Sequence, residues 1–160
     1  MGKEPGRHII DQEAINRIIA EEAGAGRMVV RLKGGDPFVL GRGGEEARAL
    51  RRQGIDFEVV PGVTSAIAVP EAAGIPITDR AASSSFTIVS GHSARDKGEP
   101  MTDFTKIEAE TVVILMGLGN LPRIAEQLMT RRPPETPVAV IQQGTTENEK
   151  VVIGTLENIA

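Results

Sequence analysis

The chain has 160 residues, 40% hydrophobic and 25% charged, which suits one globular domain, or two small ones, with a real core. Acidic residues (22) outnumber lysines and arginines (18), for a formal net charge of -4, and there are four phenylalanines with no tryptophan or tyrosine. That balance argues against a nucleic-acid partner, which needs a basic face and stacking platforms. With no cysteine, disulfides, thiolate metal sites and cysteine nucleophiles are ruled out.

The first predicted element is a helix over residues 11–23, with Asp11 as its N-cap and Ile15, Ile18 and Ile19 on one face. Gly24 and Gly26 stop it. Residues 28–32 read as a short buried strand, followed by the glycine-rich loop KGGDPFVLGRGG. A second helix is predicted over 45–53, its acids in the first turn and Arg51 and Arg52 in the last, as the helix dipole favours. Residues 57–60 read as another strand. Strand, helix, strand at this spacing predicts a βαβ unit and a parallel sheet.

A small-residue helix is expected to start near Thr64 and to kink or end near Pro70. An extended connection follows, with a subdomain boundary expected near 77–85. The second half repeats the logic, with strands at 86–90, 111–116, 137–142 and 150–153 and a helix over 120–130, stopped by the RRPP run at 131–134. The expected organisation is therefore α/β: a partial first subdomain over 1–80 carrying the glycine-rich loop, and a second over 81–160, truncated at its end. A Rossmann-like sheet opens on a strand and its ligand loop. This chain opens on a helix, and Thr155 caps another with no room to continue, so the sequence reads as the interior of a longer protein.

The segment richest in chemistry is Arg31-Leu32-Lys33-Gly34-Gly35-Asp36-Pro37-Phe38, at the carboxyl end of a predicted strand, where open α/β sheets bind ligands. Paired glycines let backbone groups approach a ligand, and Asp36 can accept from hydroxyl or amino groups; a tight turn with Asp36 as a local cap is the competing reading. Gly41-Arg42-Gly43-Gly44 offers amides at a helix N-terminus, though Glu45 and Glu46 would repel phosphate there, and a flexible lead-in to the helix explains it equally well. Arg31, Lys33 and Arg42 around one loop suit an anionic substrate, against the alternative of solvated surface charge. Thr64 and Ser65 can contact a ligand or cap the next helix. Met116-Gly117-Leu118-Gly119 and Gln143-Gly144-Thr145-Thr146 occupy equivalent strand-to-loop positions, and their repetition points to a cleft between the halves. His8 and His92 lack metal-ligand spacing, no G-x-S-x-G elbow is present, and Ser83–Ser85 reads as loop polarity.

Residues 29–47 (VVRLKGGDPFVLGRGGEEA) and 59–80 (VVPGVTSAIAVPEAAGIPITDR) closely resemble the tetrapyrrole methylase family, in particular its members that C-methylate uroporphyrinogen III. GKEPGRHIIDQEAINRII upstream, and ILMGLGN and QQGTT downstream, fit as well, so the resemblance covers essentially the whole chain. It implies two α/β subdomains with the cofactor in the cleft between them, and a homodimer. The implied reaction is S-adenosylmethionine-dependent methylation of uroporphyrinogen III at C2 and C7 to give precorrin-2 by way of precorrin-1, on the way to siroheme or cobalamin. S-adenosylhomocysteine is the by-product, and no metal is implied.

By matching position, Gly34, Gly35, Asp36 and Val39 would line the cofactor, with Thr64, Ser65, Met116 and Gly144 contacting it. Lys3 would be the candidate proton donor. Arg31, Lys33 and Arg42 would pair with substrate carboxylates. The family's first strand, its Gly/Pro-rich cofactor loop and an acidic base before Lys3 have no counterpart in this sequence. Two other readings stand beside this one: a non-catalytic dimerisation or interaction module, and a methylase of another corrinoid precursor. No apolar run approaches the roughly 18–20 residues of a membrane helix, and no apolar stretch of a signal peptide follows Lys3 and Arg7. A cytoplasmic protein without a membrane partner is expected.

Overall fold

A computed structural model of the chain describes residues 11–92 and 102–160. They fall into two compact units, one ending at Thr64 and one beginning at Ser65. In the first unit, helix α1 (Gln12–Gly24) starts where the sequence supplies a cap. The Asp11 side chain accepts a 2.6 Å hydrogen bond from Ala14 N, satisfying one amide that the helix start leaves open. Gln12, Ile15, Ile19 and Ala20 are buried and Ile18 half-buried, so the apolar stripe faces inward. Helix α2 (Gly43–Arg52) begins two residues earlier than expected and buries Gly43, Glu46 and Ala47.

The predicted strands at 28–32 and 57–60 do not form, and with them the first βαβ unit is corrected. Exposure still alternates along both segments with the period of an extended chain. Met28, Val30 and Leu32 are 93%, 81% and 83% exposed, while Val29 and Arg31 are half-buried. Periodicity specifies which side chains face the same way. A strand also needs a neighbour for its N–H and C=O groups, and these segments have no ladder among the described residues.

The second unit opens with helix α3 (Ser65–Ala72), which runs two residues beyond Pro70. It closes with Gly74 at φ 73° and bonds from Gly74 N to Glu71 O and Ile75 N to Pro70 O. Strand β1 (Phe86–Ser90) pairs in parallel with β2 (Thr111–Leu115), Phe86 opposite Thr111 and Ser90 opposite Leu115. A 3₁₀ turn (Phe104–Lys106) lies between them in sequence. Helix α4 (Leu121–Met129) follows, with Pro122 in its first turn. An antiparallel hairpin, β3 (Pro137–Gln142) with β4 (Lys150–Thr155), ends the fold. Strand β4 is two residues longer than expected, and Thr155 is its last residue rather than a helix cap.

The parallel pair, its connecting turn and α4 bury one cluster: Phe104, Ile124, Ala125, Leu128 and Leu156, with Val89, Ile114 and Val138 packed around it. Each large apolar side chain so buried contributes about 1.5–3 kcal/mol relative to exposure.

Candidate functional site

The glycine-rich loop of the first unit is built on backbone contacts. Asp36 Oδ1 accepts from the amides of Phe38 (2.8 Å) and Val39 (3.1 Å), and Oδ2 accepts from Gly62 N at 3.3 Å. The Phe38 and Gly62 amides, with Val39, hold its carboxyl below the ordinary aspartate value. This carboxylate therefore acts as the local cap and also ties the loop to Pro61-Gly62. A Cβ on Gly62 would stand 2.9 Å from Gly35 O, so the two backbones approach as only a glycine permits. Pro37 O accepts from Gly43 N at 2.9 Å, which folds the loop back on the start of α2. At Gly34, by contrast, nothing lies within 4 Å of where a Cβ would be.

Arg31 and Lys33 meet at one residue. Glu46 is only 7% exposed, and its Oε1 accepts from Gln12 Nε2 (3.1 Å) and Arg31 Nε (3.2 Å) while Oε2 accepts from Lys33 Nζ (2.8 Å). Burial pushes the Glu46 carboxyl up, but the hydrogen bonds from Lys33, Gln12 and Arg31 and the charge of Lys33 outweigh it, leaving the group below its usual value. Arg42 is paired with Glu45 through two bonds, Nε to Oε1 at 2.8 Å and Nη2 to Oε2 at 2.7 Å. The role of Glu46 was not legible in the sequence, where it reads as helix-dipole charge and as a group that would repel phosphate. Its signal is spacing: with Gly43, Ala47 and Leu50 it occupies the i, i+3, i+4, i+7 face that packs inward.

In the second unit the sequence-predicted residues stand at the carboxyl ends of strands. Gly91 and Gly117, just past β1 and β2, approach so closely that a Cβ on Gly91 would lie 2.5 Å from Gly117 Cα, and Asn120 Nδ2 donates to Gly91 O at 2.7 Å. Met116 is left-handed at φ 58° and exposed. Gly144, past β3, lies against α3, where a Cβ would come within 2.3 Å of Val69 Cγ1. Ser65 is the first residue of α3 and Thr64 precedes it. Lys3 and His8 lie outside the described residues. Among the described residues no group of three or more His, Cys, Asp or Glu is placed to hold a metal, and no helix is long and apolar enough to cross a membrane.

Backbone conformation singles out these loops independently. Among the described residues, the non-glycine residues with positive φ are Leu40, Arg42, Met116, Gln143 and Thr145, and all lie in the three loops read as chemical from the sequence. Each such conformation costs roughly 1–2 kcal/mol, and such outliers gather at functional sites.

Parallel strand pairing, interleaved helices and strained turns after the strand ends define an α/β protein of the kind that binds ligands at those ends. Residues 1–160 match the family described as Tetrapyrrole (Corrin/Porphyrin) Methylases, and the chain belongs to it. The uroporphyrinogen-III C-methyltransferase of Methanocaldococcus jannaschii is 54% identical over 161 residues, covering 99% of this chain and 66% of that protein. An S-adenosyl-L-methionine-dependent uroporphyrinogen III methyltransferase of Methanosarcina barkeri is 51% identical over 163 residues, covering 100% of this chain and 64% of the relative. The crystal structure of a uroporphyrin-III C-methyl transferase from Thermus thermophilus complexed with S-adenosylhomocysteine superposes with a TM-score of 0.80 at 41% identity, over 91% of this chain and 64% of that one. The chain thus spans 64–66% of the length of these relatives.

Proposed function

We propose that this chain is the greater part of an S-adenosylmethionine-dependent methylase that acts on uroporphyrinogen III at C2 and C7, giving precorrin-2 by way of precorrin-1. The observation that carries this reading is the confinement, among the described residues, of left-handed, non-glycine backbone to the loops at residues 40–42, 116 and 143–145. The relatives' names supply the substrate and cofactor class.

The residues of the first unit suit such a cofactor. Open space at Gly34 leaves room for a ligand against the main chain, and Asp36 fixes the backbone of Phe38, Val39 and Gly62 beside it. Gly34, Gly35, Asp36 and Val39, with Thr64, are the proposed cofactor contacts of that unit; Ser65, Met116 and Gly144 are those of the other. When bound, S-adenosylmethionine would supply an electrophilic methyl carbon to a nucleophilic pyrrole carbon, with S-adenosylhomocysteine as the leaving group and the ring proton passing to bulk water. The chain's task is to hold the reacting groups in line and exclude water. Lys3 is the proposed proton donor.

The substrate carries eight carboxylates. Arg31, Lys33 and Glu46 together keep one net positive charge, and Arg42 sits in the same loop, so these cations are its proposed partners. Replacing Arg42 with Ala is expected to raise substrate KM far more than the Kd for S-adenosylhomocysteine; equal effects on both would remove the assignment. The working form is proposed to be a homodimer.

Calorimetric titration with S-adenosylhomocysteine tests the reading. Binding at micromolar Kd, about -8 kcal/mol, is the expected result. No binding by a chain with a folded circular-dichroism spectrum overturns it in favour of a non-catalytic interaction module.

A further inference from the structure

The segment that delivers the Gly34-Gly35 loop has no ladder among the described residues, yet it ends in a loop of defined shape. Its side chains meet a buried carboxylate, Glu46. Arg31 and Lys33, two residues apart and both half-buried between exposed neighbours, point to the same side of an extended segment and both reach Glu46 on α2. Gln12 on α1 donates to the same oxygen as Arg31, and its Nε2 also donates to Asn16 Oδ1 at 3.1 Å. Lys33, whose side chain is 12% exposed, directly precedes Gly34. At the far end Asp36 ties the loop to Gly62. The loop is thus anchored on both flanks, with Gly34 left open between them.

We propose that Glu46 is a positioning residue for the glycine-rich loop: through Lys33 and Arg31 it sets where the Gly34-Gly35 backbone presents itself to a ligand. The proposal deepens the cofactor-binding reading and rests on it for the identity of that ligand. Nearby titratable groups do not compete for the role. Glu45, one residue earlier, is engaged with Arg42, and Asp36 with backbone amides.

The test uses the full chain as wild type, Glu46→Gln, and the double variant Glu46→Gln/Lys33→Met. The single variant leaves a poorly exposed ammonium without its carboxylate and is expected to lose stability for that reason alone. The double variant removes that ammonium and regains stability in a urea titration. If Glu46 positions the loop, the folded double variant still binds S-adenosylhomocysteine at least tenfold more weakly than wild type. The ¹⁵N order parameters of Gly34, Gly35 and Asp36 then fall below about 0.6 while those of α1 stay near about 0.85.

Wild-type affinity and order in the double variant would overturn the proposal, because a purely structural brace is restored together with stability. Lys33→Met alone, which leaves Glu46 with Arg31 and Gln12, keeps the test open should the double variant not fold. It is expected to show a smaller change in the same direction, and no change in affinity or order overturns the proposal. If wild type binds no S-adenosylhomocysteine, the order parameters still decide: a loosened loop keeps the positioning role and removes only the cofactor reading, and an unchanged loop removes the positioning role as well.

Discussion

The two units solve the same problem by different means. Each contains short apolar runs with the alternation of strands. In the second unit those runs find partners: β1 lies beside β2 and β3 beside β4, and Phe104, Ile124 and Leu128 close over one side. In the first unit residues 28–32 and 57–60 have no strand neighbour among the described residues, and the segment before the loop is held by Arg31 and Lys33 on Glu46. The second unit is held by a paired sheet and its apolar cluster, whereas the first adds a charged clamp to the smaller apolar contact of Ile15, Ile19, Ala20 and Ala47. The two should respond to different insults.

The largest effect is expected in the packed unit. Phe104 is 1% exposed at the centre of its cluster, and Phe104→Ala should cost about 3–5 kcal/mol, read as a shifted urea midpoint. A shift under about 1 kcal/mol would mean that this core is not what holds the second unit together.

Acid should reach the clamp. The Glu46 carboxyl is held below the ordinary glutamate value, so its contribution to stability is fully present above the unfolded chain's pKa and is lost as pH falls through the lower, folded one. Asp36 behaves in the same sense, as does Glu110 in the second unit, which accepts from Ser84 and Ser85. The stability of the chain should therefore decline below pH 4.5, with a shallower decline in Glu46→Gln. Identical slopes for the two proteins would show that Glu46 does not titrate with folding.

The smallest effect is at the first helix cap. Asp11→Ala removes the bond to Ala14 N and should cost about 1 kcal/mol, seen as a small drop in helical circular dichroism and urea midpoint confined to α1. Asp11→Asn, which keeps an accepting oxygen, should recover most of it.

Legibility from sequence follows the range of the forces involved. The cap at Asp11, the apolar stripe of Ile15 and Ile19, the charge polarity of α2 and the strands of the second unit are all local patterns, and they stand where expected to within a few residues. The glycine-rich loop was legible as a special segment, because Gly34-Gly35-Asp36-Pro37 is written in backbone chemistry. Its local-cap role is now visible in the amides of Phe38, Val39 and Gly62 that bond to Asp36. Gly62 lies 26 residues from Asp36, beyond what a local motif encodes.

By itself, then, the sequence determined the α/β class, the approximate places of the four described helices, the positions of the turns and the family. Each of these rests on contacts within a few residues or on a contiguous motif. The tertiary structure decided three other things: that residues 28–32 and 57–60 are not strands, that Glu46 is buried beneath Arg31 and Lys33, and that Leu40, Arg42, Met116, Gln143 and Thr145 adopt left-handed backbone. Pairing needs a neighbour, burial of the Glu46 charge draws partners from two other segments, and strain persists only where surrounding contacts enforce it. None of these is a property of a residue and its immediate neighbours, which is why they had to be read from the folded chain.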